Sequence, residues 1–214
     1  MKQYPSVIGI KDATIGVDCL AFDKKDGSQI RVEWTKKTGY SKFGTRRRLL
    51  GPDEELGGAI EVFRSIEEEI EHVRAKDKKM KQERRLTFFF EYYGPSSFAG
   101  QHDFNEIMSL SLFDVALDKK GFMKPKDFQI LWGEAYGILT PDLRYVGKLN
   151  KAYVERVRND TLLDEGVVVK GVNKKGNAIW RTKIKTDRWL ERLKREAETN
   201  QSLKAALQDN EREQ

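Results

Sequence analysis

Lys24-Lys25-Asp26-Gly27-Ser28 joins two strand-like runs and decides how this chain is interpreted. Residues 17–22 are mostly apolar, and residues 29–34 alternate apolar and polar side chains, as half-buried strands do. Asp-Gly favours a tight turn between them. A lysine at the end of one strand can thus be held as a reactive amine. Lys-x-Asp-Gly is expected by chance in roughly one chain of this size in ten, so the rest of the chain must supply the other parts of a site.

Composition predicts a folded protein with a basic surface. The 214 residues include 11 Phe and 4 Trp and suffice for one full-sized core with an appendage. A net charge of +6 with 34 acidic residues favours nucleic acid or another polyphosphate as partner, although metabolic enzymes carry the same excess. One cysteine, Cys19, excludes an internal disulfide. Without an apolar signal or bilayer-length run, we expect a soluble cytoplasmic protein with no membrane partner.

Periodicity predicts an α+β fold of mainly antiparallel sheets flanked by helices. Strand-like runs occupy 17–22, 29–34, 86–92, 110–117, 166–172 and 178–185, the last two as a hairpin. Helical patterns occupy 56–75, 125–136, 148–159 and the chain from Asp187. We expect one domain over 1–186 and a C-terminal helical tail over 187–214, with its last dozen residues frayed.

Two strands carry side chains suited to a nucleoside. Glu91 stands among aromatic residues, where a carboxylate is costly unless it is satisfied. A ribose hydroxyl would satisfy it; an edge-strand position facing solvent is the alternative. Phe113 lies in another strand and can stack on a purine, although an isolated phenylalanine is more often a core residue.

Two further segments suit phosphates and a metal. Asp164-Glu165-Gly166 places an acidic pair at the start of a buried strand, where glycine permits close approach; a cap or turn is the alternative. Lys183 and Lys185 alternate along a strand and therefore point to one side of the sheet. Two cations on one face suit a triphosphate, and solvated strand lysines are the alternative.

In this order the segments resemble the covalent nucleotidyltransferase superfamily of ATP-dependent ligases and mRNA capping enzymes. The resemblance covers about residues 17–186 and implies an ATP-grasp-like nucleotidyltransferase domain with Lys24 as the nucleotide-accepting lysine. The cofactor-binding residues that it implies are Asp26, Gly27, Lys37, Glu91, Phe113, Lys183 and Lys185, and Glu165 is the metal-side carboxylate.

Within the superfamily, RNA ligases of the phage T4 RNA ligase 2 type are most similar. Gln29 stands where DNA ligases usually have arginine, and Thr35-Lys36-Lys37-Thr38-Gly39 resembles the Lys-Arg-Thr-Gly segment of that group. Lysine lacks the bidentate fork of the usual arginine, and Arg46, Arg47 or Arg48 can serve instead. Only 29 residues follow Lys185, too few for an oligonucleotide-binding barrel; we therefore expect a minimal form without one.

The resemblance implies a three-step reaction with ATP and Mg²⁺, or Mn²⁺ in its place. Lys24 takes AMP from ATP, passes it to a polynucleotide 5′-phosphate, and a 3′-hydroxyl then displaces it. The expected partner is RNA, bound by a monomer that acts in the cytoplasm or, if phage-encoded, in that of the host. Lys36 and Arg46–Arg48 are candidate nucleic-acid contacts, with solvated loop charge as the alternative.

Three alternatives stay open at this point. The chain is also compatible with a minimal DNA ligase, with a capping guanylyltransferase, and with a nucleic-acid-binding module without catalysis. The sequence does not distinguish nicked, splinted or single-stranded substrates. A loop histidine, His102, is expected to have no role, since the lysyl-AMP route does not require one.

Overall fold

The computed structural model describes residues 1–51, 58–135, 137–176 and 178–213. The strands in these ranges are β1 (Ile8–Gly9), β2 (Asp18–Lys24), β3 (Ser28–Thr35), β4 (Gly39–Thr45), β5 (Arg85–Tyr93), β6 (Ser109–Leu117), β7 (Gly121–Phe122), β8 (Leu143–Lys148), β9 (Gly166–Val172) and β10 (Ile179–Lys185). The α-helices are α1 (Ala59–Ser65), α2 (Glu67–Lys76), α3 (Lys78–Lys81), α4 (Pro125–Trp132), α5 (Lys151–Arg158), α6 (Asp187–Ala197) and α7 (Gln201–Glu213).

The chain is divided into two compact units, each with its own sheet. Unit one comprises Met1–Pro5 and Gly27–Pro141, and unit two comprises Ser6–Asp26 and Asp142–Gln214. The sheets are mostly antiparallel and flanked by helices, which confirms the predicted α+β class. The described residues form no closed barrel. The division into domains at 186/187 stays a prediction.

Unit one is built on a five-stranded antiparallel sheet of order β4-β3-β5-β6-β7. Alternation along β5 turns Phe88 and Phe90 into the core, where Phe88 contacts Trp132 of α4 and Phe90 contacts Phe63 of α1. Full burial of such a side chain contributes about 2–3 kcal/mol. The intervening residues, including Glu91, consequently point to the opposite face of this sheet.

Unit two is built on a five-stranded sheet of order β1-β10-β9-β2-β8. The core side of β9 carries Val167 and Val169, which pack with α5 and with Cys19 of β2. The Cys19 thiol donates a hydrogen bond to the Gly147 carbonyl at 3.2 Å, and burial raises its pKa to about 11. Cys19 is therefore a buried structural thiol that is unreactive at neutral pH.

All six predicted strands are present with small changes of boundary. The predicted helix 56–75 starts outside the described residues and is otherwise broken at Ile66 into α1 and α2. The predicted helix 125–136 is α4 and ends earlier, at Trp132. The predicted helix 148–159 is α5 and begins later, at Lys151, after the Asn150 cap. Fraying of the last dozen residues is wrong over the described part, because α7 continues to Glu213 and buries Leu203.

None of the described helices has the length and apolar character that crossing a bilayer requires.

Candidate functional site

Strand register aligns three of the predicted residues in unit two. Lys24 of β2 is paired with Gly166 of β9, and Gly166 is paired with Lys185 of β10. Residues paired directly across neighbouring strands project to the same face. The two lysines therefore flank the glycine on one face of the sheet.

The Glu165 carboxylate connects both lysines. Its Oε2 accepts a hydrogen bond from Lys24 Nζ, and its Oε1 lies 2.6 Å from Lys185 Nζ. Burial would raise the pKa of Glu165, but the charges of Lys24 and Lys185 outweigh it and hold the pKa below its ordinary value. Burial also lowers the pKa of Lys185. The negative charge of Glu165 opposes this effect, and the positive charges of Lys24 and Lys183 add to it. Glu165 thus remains a carboxylate between two cations.

Gly166 makes this arrangement possible. Its φ of +145° lies in the region that favours glycine, and an added Cβ would lie 2.1 Å from the Ile184 carbonyl oxygen. Any other residue would push β9 away from β10. The close approach at Gly166 is therefore between two strands, and the close approach of a phosphate or metal there stays a prediction.

Helix α6 begins directly behind Lys185 and adds an aromatic ring. Thr186 caps the helix by accepting a hydrogen bond from the Trp189 amide. The Trp189 ring centroid lies 3.7 Å from Lys185 Nζ, and its indole N–H donates to Asp26 Oδ2 at 2.6 Å. Sequence reasoning missed Trp189 as a neighbour of the site, although Thr-Asp immediately after a strand was a usable helix-start signal.

Lys25 has different surroundings from those of Lys24. Its Nζ lies 2.8 Å from Asp23 Oδ2 and 3.6 Å from Asp164 Oδ2. Asp164 and Glu165, predicted as one acidic pair, therefore contact different lysines. Lys24 is the lysine that joins the Glu165 cluster.

Lys183 lies on the same face of the sheet as Lys24 and Lys185. It is paired with Val168, which is paired with Phe22, two residues before Lys24. The predicted common face of Lys183 and Lys185 is confirmed. Two buried basic residues missed in the sequence, Lys170 and Arg181, extend this face, and Lys170 Nζ lies 5.4 Å from the Phe22 ring centroid.

Gly27, Glu91 and Phe113 belong to unit one. A Cβ on Gly27 would lie 2.4 Å from the Tyr92 carbonyl oxygen, so the turn needs glycine to pack against β5. Glu91 is half-buried and is paired with Gln29 and Ser111. Phe113 lies at a register shift in β6, outside the main core cluster. Its ring contacts Tyr4 edge-on at 5.1 Å between centroids and lies 6.4 Å from Phe89.

The basic segments of unit one lie at opposite ends of a hairpin. Lys36 and Lys37 form the turn between β3 and β4, whereas Arg46–Arg48 follow the other end of β4, beside Ser28. Eight residues of β3 separate the two ends, about 26 Å of extended strand. The structure therefore does not bring Lys37 near the Ser28 end. Arg46–Arg48, which were predicted as substitutes for Lys37, lie at the Ser28 end.

The donor set fits a divalent metal only in part. The described residues include no group of three or more His, Cys, Asp or Glu that could hold a metal ion. Both Glu165 oxygens contact lysines. Mg²⁺ is commonly held by one or two carboxylates together with substrate phosphates and water. The site is compatible with a metal that arrives with a nucleotide, and Glu165 is the residue that would offer it an oxygen ligand.

No protein-family model and no curated protein matches the sequence. Solved structures nevertheless identify the class of fold, which is the nucleotidyltransferase fold of RNA ligases. The particular structures are of Naegleria gruberi RNA ligase. Its complex with PPi gives a TM-score of 0.60 at 17% identity over 83% of this chain. Mutants of the same ligase with ATP and Mn, or with AMP and Mn, give TM-scores of 0.65 and 0.64 at 14% and 16% identity over 90% of this chain.

This chain spans 52% to 58% of the length of those ligase structures. Similarity at such low identity establishes the fold of the shared part.

Proposed function

We propose that this protein is an ATP-dependent RNA ligase that works through a lysyl-AMP intermediate on Lys24. The observation that carries the proposal is the cluster of Lys24, Glu165 and Lys185 on one face of a sheet in an RNA-ligase fold. The amine is positioned by a buried carboxylate, and basic side chains along the same face provide counter-charge for phosphates.

The first step follows from the chemistry of an amine and a triphosphate. Neutral Lys24 Nζ forms a bond to the α-phosphorus, the bond to pyrophosphate breaks, and the amine proton leaves to solvent. Lys185 favours the neutral form of Lys24 and Glu165 the charged form, so loss of the proton requires that Glu165 be drawn to another cation. A divalent metal, proposed to be Mg²⁺ or Mn²⁺, would supply that charge and neutralise the phosphates.

The remaining roles are proposed from the resemblance and the fold. Glu91 holds the ribose, Phe113 stacks on the adenine, Lys183 and Lys185 contact the phosphates, and Asp26 and Gly27 shape the turn beside Lys24. Phosphoryl transfer depends mainly on positioning and charge stabilisation, which such residues can provide. AMP then passes to a 5′-phosphate of RNA, and a 3′-hydroxyl displaces it to seal the strand. We propose a monomer that serves RNA repair in the cytoplasm.

Label transfer tests the proposal. The protein is incubated with ATP labelled at the α-phosphate and Mg²⁺, and covalent label is measured after denaturation. Wild type and Lys25→Ala are expected to carry label, whereas Lys24→Ala is not. Label on Lys24→Ala but not on Lys25→Ala would show that Lys25, and not Lys24, accepts AMP. Binding of nucleic acid without any adduct would support a non-catalytic module.

Substrate choice is tested separately. Label from GTP but not from ATP would indicate a capping guanylyltransferase. Nicked duplexes with ribose or deoxyribose on the 3′-hydroxyl side distinguish RNA from DNA sealing. We expect the ribose-containing nick to be sealed faster, and sealing of only the all-DNA nick would contradict the RNA assignment.

A further inference from the structure

Unit one contains a groove of about 630 Å³ whose lining is basic and aromatic. Arg46–Arg48 and Ser28 form part of the lining, and Tyr92, His102 and Phe104 form the rest of the polar and aromatic contacts. No acidic side chain contributes to the lining among the described residues. The volume lies within the range of small-ligand sites, and the charge selects an anion.

The three arginines stand on a fixed turn. The Thr45 amide donates to the Arg48 carbonyl at 2.9 Å, and the Thr45 hydroxyl accepts from the amides of Arg47 and Arg48. Beneath the turn, the buried Arg31 guanidinium donates to the Thr45 carbonyl at 2.7 Å and the Arg48 carbonyl at 3.4 Å. The backbone of the turn is therefore held from inside the protein. The exposed Arg46–Arg48 side chains project from it into solvent.

An aromatic wall forms the other part of the groove. The rings of Tyr92 and Phe104 are nearly parallel, with 6.5 Å between centroids, and the His102 ring lies 5.6 Å from Phe104. Phe104 is 57% exposed, so part of its ring is accessible to a stacking partner.

His102 fixes this wall to the strand that follows the Lys24 turn. Its Nε2 is hydrogen-bonded to the Ser28 hydroxyl at 2.8 Å, and its Nδ1 to the Ser97 hydroxyl at 2.8 Å. Burial lowers the pKa of His102, so the ring is neutral at pH 7 and bonds both hydroxyls without adding charge. The loop histidine that the sequence left without a role thus positions the wall.

These contacts select the chemistry of the ligand. Guanidinium groups bind phosphates bidentately, and exposed aromatic faces stack on unpaired bases. We propose that the groove binds a single-stranded segment of the RNA substrate, with its phosphates on Arg46–Arg48 and a base on Phe104. The proposal names where the strand of the proposed ligase is held and so rests on that function.

Binding is measured by fluorescence anisotropy with the full chain, no ATP, and a short single-stranded oligoribonucleotide labelled at its 3′ end. The variant Arg46→Ala/Arg47→Ala/Arg48→Ala is compared with Lys76→Ala/Lys78→Ala/Lys81→Ala, which removes the same charge from exposed lysines of unit one. We expect the arginine variant to bind about tenfold more weakly or worse. The slope of log Kd against log salt should fall by about 2 for three lost contacts, with little change in the lysine variant. Equal losses in both variants would overturn the proposal.

Phe104→Ala tests the stacking. We expect at least a fivefold (~1 kcal/mol) loss for the single strand and a smaller loss for the same sequence in a duplex. Unchanged binding to the single strand would overturn the proposal. AMP in excess serves as the mononucleotide arm. If the arginine variant loses AMP binding but keeps the oligonucleotide, the groove is a nucleotide site and the proposal is wrong.

Label transfer from ATP is measured on the same preparations. Loss of oligonucleotide binding in the arginine and Phe104 variants, with no adduct on wild type, would support the groove and reject the ligase function. An adduct on wild type with unchanged binding in these variants would support the ligase function and reject the groove as the binding site.

Discussion

Lys24 and Lys25 are neighbours in sequence, yet they form ion pairs with different carboxylates. Lys24 contacts Glu165, whereas Lys25 contacts Asp23 and Asp164. Each lysine is one of two cations beside a buried carboxylate, since Lys185 also contacts Glu165 and Arg144 also contacts Asp23, so alanine variants of both are expected to lose some stability. Chemistry and stability can be separated by keeping the charge.

Lys24→Arg is the variant that separates them. A guanidinium can still donate to Glu165 but is not deprotonated at any working pH, so it cannot attack phosphorus. We expect covalent label to fall to background while the unfolding temperature stays close to that of wild type. Lys25→Arg is the matched control and should retain the label. Label on Lys24→Arg would contradict the assignment of the nucleophile.

Glu165 predicts a pH dependence of stability. Its pKa is lower in the folded protein than its ordinary value, so its contribution is complete above the ordinary carboxyl pKa and is lost as pH falls through the folded value. As the pH falls from neutral to about 3, the free energy of unfolding measured with urea should therefore decrease more for wild type than for Glu165→Gln.

At neutral pH, Glu165→Gln should be about 3 kcal/mol less stable than wild type, because two partly buried lysines lose the buried carboxylate that neutralises them. Glu196→Gln, which removes an exposed carboxylate paired with Arg192, is the control and should resemble wild type. An identical acid response of Glu165→Gln and wild type would show that the lysines do not hold this carboxylate ionised.

At the scale of elements, the approach of β9 to β10 depends on Gly166. Gly166→Ala should destabilise the protein through both its positive φ and the contact with the Ile184 carbonyl. Gly176 also has a positive φ, +70°, but an added Cβ there meets nothing within 4 Å. Gly176→Ala thus measures the backbone cost alone, about 1–2 kcal/mol. Chemical denaturation should show a clearly larger loss for Gly166→Ala, and equal losses would remove the steric argument.

The elements that the sequence predicted are those with strong alternation or apolar runs. Of the described strands, β1, β4, β7 and β8 were missed: β1 and β7 are two residues long, and β4 and β8 lack that pattern. β4 buries Tyr40 and Phe43, which are three residues apart across a register shift, so its burial does not alternate. β8 is an edge strand with exposed or half-exposed side chains throughout. An edge strand need not bury one face, so period-2 patterning does not reveal β8.

The candidate site was predictable where it follows from position along a strand. Lys183 and Lys185 share a face because strand periodicity requires it. The pairing of β2 with β9 was not predictable, because register depends on contacts between strands about 140 residues apart, as Lys24 and Glu165 are. Trp189 was missed as a neighbour of the site because its contact with Asp26 joins residues 163 positions apart.

At the scale of the whole molecule, the metal should serve the reaction and not the fold. The described residues offer no cluster of ligands that could hold a structural ion. A chelator is therefore expected to stop label transfer from ATP while the nucleotide-free protein unfolds at an unchanged temperature. Added Mg²⁺ or Mn²⁺ should restore the label. A fall in unfolding temperature on chelation would indicate a structural metal instead.

Each unit is discontinuous in the chain. The chain starts in unit one with Met1–Pro5 and continues in unit two with Ser6–Asp26. It then returns to unit one at Gly27 and to unit two at Asp142. Hydrophobic patterning is local and reports which segments form strands, not which strands belong to one sheet. Composition could therefore suggest a boundary before Asp187 but could not group β2 with β9 and β10.

The buried thiol of Cys19 has a practical consequence for optical measurements. It is the only cysteine in the sequence, it is 2% exposed, and its pKa is raised to about 11. Maleimide dyes react with exposed thiolates and should leave it unmodified in the native protein. The natural chain thus needs no cysteine removed before a reporter is installed. A dye on Asn105→Cys, next to the aromatic ring of Phe104, would report on arrival of a strand in real time.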